Sequence, residues 1–129
     1  MPSDALRNAA PTARFETPAV APTRPHRGPW LRLLAEMLQL AGPRAEFLRH
    51  TEKSWSSATF TGSRHRVVLA FGGVDGVVEG EAYVAALPEH EFTIVGQLVA
   101  DAMVVAVEHQ LLPAPRMTVE AELLLLEEY

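Results

Sequence analysis

The chain has no cysteine. That absence excludes a disulfide framework, a zinc ribbon, an iron–sulfur cluster and any thiol nucleophile. Lysine occurs once, as Lys53, among 11 basic residues, and the arginine bias fits GC-rich codon usage better than any function. The 8 glycines follow no collagen-like period. The Gly72-Gly73-Val74-Asp75-Gly76 cluster matches neither GxGxxG nor a phosphate loop ending in GK[ST], and GxSxG is missing, so those glycines are expected to make a turn. No apolar run approaches the roughly 18 residues that a membrane-spanning helix needs.

With 48% apolar and 21% charged residues, a chain of 129 residues fits one soluble globular domain. Such a chain buries about two thirds of its unfolded surface without a metal or disulfide staple. The net charge of -5 is unevenly spread: Arg7, Arg14, Arg24 and Arg27 against Asp4 and Glu16 make residues 1–29 basic by +2, leaving -7 for the rest. An acidic body without a basic stripe is a poor partner for phosphate backbones, so neither nucleic acid nor membrane is expected as a partner. Six of the 10 prolines (Pro2, Pro11, Pro18, Pro22, Pro25 and Pro29) fall in the same basic stretch. Residues 1–28 are expected to be a flexible Pro/Ala/Arg-rich arm, and 29–129 a single small α+β domain. The arm lacks the apolar core of a secretory signal, and a cytoplasmic location follows as the expectation.

From Pro29 the pattern turns helical, with Trp30, Leu34, Met37, Leu38 and Ala41 on one stripe, and Gly42-Pro43 should end that helix. A short helical turn is expected over 44–50. Residues 53–71 carry a hairpin signature, strands near 54–61 and 65–71 around Thr61-Gly62-Ser63. The second strand would place His65, Val67, Leu69 and Phe71 on one face and Arg64, Arg66, Val68 and Ala70 on the other. A helix over about 76–87 follows, with Asp75 as its cap and Pro88 as its stop. Residues 94–110 are ambiguous. As a helix they would gather His90, Gln97, Asp101 and Glu108 on one side. Their valine content and the short Leu112-Pro113-Ala114-Pro115 link to the strand RMTVEAELLLLE favour a second hairpin. The resulting order is α-ββ-α-ββ, a four-stranded antiparallel sheet with helices on one face.

Strand parity would put Asp101 on the core face with Val99, Met103, Val105 and Val107, where burial raises a carboxylate toward use as a general base unless an arginine pairs it. Asp101, His65 and His90 are therefore the candidates for a small acid/base site. Arg64 and Arg66, the body's only compact basic cluster, are the candidates for binding a small anionic ligand. Glu120 and Glu122 share a face and are expected to be solvated. The histidines show no HxH or HxxxH spacing, so no metal site and no cofactor are expected. The long apolar run 98–107 and the apolar surplus of 30–41 favour a non-catalytic homodimeric interaction or small-ligand-binding domain, with the acid/base enzyme as the alternative.

Overall fold

Helix α1, Arg24–Ala41, stops at Gly42, whose φ of 100° suits glycine and whose N–H bonds the Leu38 carbonyl at 3.0 Å. The computed structural model describes residues 24–128 of the protein. Residues 31–128 belong to one compact unit. The helix begins before Pro29, which lies inside it, so residues 24–28 of the expected arm are helical. The rest of that arm, residues 1–23, lies outside the described residues. Within 31–41, Leu33, Met37 and Ala41 recur every fourth residue and are buried.

Strand β1 spans Ala45–Ser56 and β2 Thr61–Gly72. Helix α2 is Gly73–Ala86, followed by a 3₁₀ turn Leu87–Glu89, then β3, Gln97–Gln110, and β4, Arg116–Glu127. This is the expected α-ββ-α-ββ order, and the four strands form one antiparallel sheet in the order β1-β2-β4-β3. Among the described residues no helix is long and apolar enough to cross a membrane.

Besides the earlier start of α1, the elements differ from the sequence expectation in three places. Residues 45–50 belong to β1, not to a helical turn, and of the adjacent Phe47 and Leu48 that suggest a helix, Leu48 falls within a register shift between Phe47 and Arg49. The hairpin turn is at Ser57–Phe60, closed by Ser57 N–H on the Phe60 carbonyl at 2.8 Å and by Ser57 Oγ accepting from the Phe60 N–H at 3.1 Å. Helix α2 starts at Gly73, and its Gly72 cap uses no side-chain bond, so Asp75 sits in the first turn and does not cap. Gly80, which argued against a helix, has a packing reason: a Cβ there would lie 2.8 Å from Met117 Sδ and 3.0 Å from the Phe71 ring. The small residue lets α2 lie close on β2 and β4.

The core lies under α2 on the two central strands. Val67, Leu69 and Phe71 of β2 stand opposite Ala121, Val119 and Met117 of β4, and all six are buried. Tyr83 of α2 joins them at 1% exposure, its ring 5.7 Å from that of Phe71. Its hydroxyl has no hydrogen-bond partner among the described residues, and burial pushes the phenol pKa up. A buried hydroxyl without a partner loses its hydration for nothing in return, a penalty of roughly 1–3 kcal/mol. Tyr83→Phe is therefore expected to raise unfolding stability by about 1 kcal/mol, read from the urea midpoint. A loss of stability would mean that the hydroxyl is satisfied.

Candidate functional site

Alternation along β2 sends His65, Val67, Leu69 and Phe71 to the α2 side and Arg64 and Arg66 to the open side, as the sequence pattern implies. Each face collects its own set of ionisable groups.

On the α2 side, β1 brings Glu52 directly opposite His65 and places His50 opposite Val67, one step along the same face. His50 Nε2 lies 2.9 Å from His65 Nδ1, and Ser63 Oγ lies 2.7 Å from His65 Nε2. The two rings stack with centroids 5.1 Å apart and planes 13° from parallel. His65 is 2% exposed, His50 is half-buried and Glu52 is exposed. Burial pushes the pKa of both imidazoles down to about 4, and for His50 the neighbouring His65 adds repulsion. Both rings are thus neutral at pH 7. A neutral ring has one N–H and one lone pair, so the chain Ser63–His65–His50 is satisfied when His65 Nε2–H donates to Ser63 Oγ and His50 Nε2–H donates to His65 Nδ1. Ligand atoms of His50, Glu52 and His65 all lie within 4.8 Å of one another, close enough to share a metal ion.

On the open face, Arg64 Nη1 bonds Glu122 Oε2 at 2.7 Å, Arg66 Nε bonds Glu122 Oε1 at 2.9 Å, and Arg66 Nη1 bonds Glu120 Oε2 at 3.0 Å. Arg64, then Arg66, hold the Glu122 carboxyl below its ordinary pKa. Arg64, Arg66 and Glu122 line a groove of about 290 Å³ together with Thr51 and Lys53. The expected anion clamp is therefore already engaged: Arg66, through two nitrogens, and Arg64, through one, bond carboxylates of the same sheet, because β4 carries Glu122 directly opposite Arg66. Glu120 and Glu122 are ion-paired and not simply solvated.

The three acid/base candidates do not converge. Two register shifts in β3, between Val99 and Asp101 and between Val104 and Ala106, break the parity that put Asp101 on the core face. Val99, Val104 and Val107 oppose buried β4 residues, whereas Asp101 opposes Leu124 on the open face and is exposed. His65 is on the other side of the sheet. His90 follows the 3₁₀ turn, 3.4 Å from Glu36 Oε1 and edge-on to Phe92 at 4.5 Å. What the structure assembles around His65 is His50, Glu52 and Ser63.

Comparison with known proteins finds no family model that matches this chain, and no match among curated proteins or solved structures.

Proposed function

We propose that the protein is a cytoplasmic, non-catalytic α+β domain that self-associates through β3, the second copy pairing edge to edge. The observation that carries this reading is the asymmetry of the two sheet edges. Edge strand β1 bears Glu46, Arg49, Glu52 and Lys53, the kind of charged edge that resists pairing with another chain. Edge strand β3 has 14 residues and only two charges, Asp101 and Glu108, and exposes Leu98 (48%), Met103 (43%), Val105 (38%) and Val107 (39%). A long apolar edge of this kind is a template for another strand.

Self-pairing also suits the charge distribution. The body is acidic, so two copies approach most favourably where acids are sparse. Antiparallel pairing about a two-fold axis at Val104 sets Asp101 opposite Val107 of the second copy and Glu108 opposite Ala100, so no two carboxylates face each other. The acid/base alternative has no comparable support, since Asp101, His65 and His90 stand apart.

Sedimentation equilibrium at micromolar concentration is expected to give a dimer. Met103→Lys combined with Val105→Lys should give a monomer with an unchanged circular dichroism spectrum, because exposed lysines on an edge block strand addition without touching the core. A wild-type monomer at that concentration would overturn the proposal.

A further inference from the structure

We infer that His50, Glu52 and His65 form a binding site for one divalent d-block cation, with zinc the ion that fits it best. The inference rests on the geometry of β1 and β2 and is independent of self-association.

The donor set is two imidazoles and a carboxylate, the composition of zinc sites that keep a position open for water. Hard cations such as magnesium prefer all-oxygen surroundings and are poorly served by it. The spacing is close to what the ion needs. Two nitrogens bound to tetrahedral zinc at about 2.0–2.1 Å stand roughly 3.3 Å apart, and His50 Nε2 and His65 Nδ1 are 2.9 Å apart. A separation of a few tenths of an ångström admits the ion between them. Glu52 stands across the ladder from His65 and brings its carboxylate to the same point.

The surroundings also match a ligand site. A metal-bound histidine usually donates its other ring N–H to a neighbouring oxygen, which fixes both tautomer and orientation. His65 has that arrangement through Ser63 Oγ at 2.7 Å, and it leaves the Nδ1 lone pair aimed at His50. On binding, His50 changes tautomer: Nε2 gives its proton to water while Nδ1 takes one up, so the ring stays neutral and the Nε2 lone pair turns to the metal. Glu52 is the exposed member and gives the ion its way in.

The test is calorimetric titration of Zn²⁺ into the EDTA-treated full chain, with Co²⁺ absorption as a direct report of coordination. One Zn²⁺ per chain at micromolar affinity or tighter is expected, with d–d bands on adding Co²⁺ and no displacement by excess Mg²⁺. Glu52→Gln, which leaves the fold intact because the side chain is exposed, should weaken binding at least about ten-fold. His50→Ala should abolish it, and His109→Ala, on an exposed position of β3, should change nothing. If His50→Ala fails to fold, the ring ¹⁵N signals of His50 and His65 in the wild type decide, since bound Zn²⁺ must move both. Zn²⁺ affinity of millimolar or weaker, equal affinity in Glu52→Gln, or unmoved ring signals would each overturn the inference.

Discussion

Acidifying the metal-free protein from pH 7 to about 4 is expected to remove several kcal/mol of stability, most of it from two side chains. His50 and His65 have ordinary pKa values near 6.5 when the chain is unfolded and about 4 when it is folded. The cause is burial of both rings, with mutual repulsion added at His50. Between those limits the unfolded chain holds more protons than the folded one, so unfolding stability falls as pH falls. It is fully present above about pH 6.5 and used up near pH 4. Each imidazole contributes up to about 3 kcal/mol over that window, at about 1.4 kcal/mol per pH unit. Because the rings touch, the pair titrates as a unit and yields less than twice the single value. A small domain has only about 5–15 kcal/mol in total, so the protein should stand close to unfolding at pH 4. Glu122 acts in a different range: Arg64 and Arg66 depress its pKa, so its contribution is present above the ordinary carboxylate range and is lost only as pH falls through that lower value. Urea unfolding at half-unit steps in the presence of EDTA would trace the curve. The double variant His50→Gln and His65→Gln should flatten it between pH 6.5 and 4; the same slope in that variant would show that the loss comes from elsewhere.

The His50–Glu52–His65 cluster shows where sequence reasoning stops. His50 and Glu52 stand two residues apart, the spacing that puts both on one face of a strand, but residues 44–50 carry Phe47 and Leu48 side by side and so suggested a helical turn. A strand with a bulge accommodates that pair as well, and only the pairing with β2 selects it. Once β1 starts at Ala45 and the turn falls at Ser57–Phe60, the hairpin register alone sets Glu52 opposite His65. The same physics misplaced Asp101. Period-2 alternation holds only while the ladder is unbroken, and the bulge after Val99 carries Asp101 from the core face to the open one. By contrast, features fixed by local chemistry were legible: Gly42-Pro43 as a helix end, the alternation of β2, and the valine-rich β3 joined to β4. The α-ββ-α-ββ order depends on these, and it survives errors of several residues at element ends. A site does not, because one residue of slippage turns a ligand to the wrong face.

Gly62→Ala is expected to destabilise the protein by about 3 kcal/mol or more, well beyond an ordinary surface change. The sequence places this glycine in a turn, yet it lies inside β2, between Trp55 of β1 and Leu126 of β4. Its reason is a close approach: a Cβ built there would sit 1.9 Å from the Leu125 carbonyl oxygen and 2.9 Å from the carbonyl carbon. Those are backbone atoms of a central strand and cannot swing aside as a side-chain tip would. To accept a methyl group, β2 and β4 must separate at this end, and the ladder from Gly62 opposite Leu126 to His65 opposite Leu123 loosens with them. Gly72→Ala provides the comparison, since a Cβ there meets nothing within 4 Å; its effect should stay below about 1 kcal/mol. Ser63 follows Gly62 directly and holds His65 through its hydroxyl. The steric defect should therefore reach the histidine cluster, with Gly62→Ala weakening Zn²⁺ binding while Gly72→Ala leaves it intact. Urea midpoints and zinc titrations on the two variants check both halves of this expectation, and equal midpoints would mean that the sheet yields at Gly62 without separating.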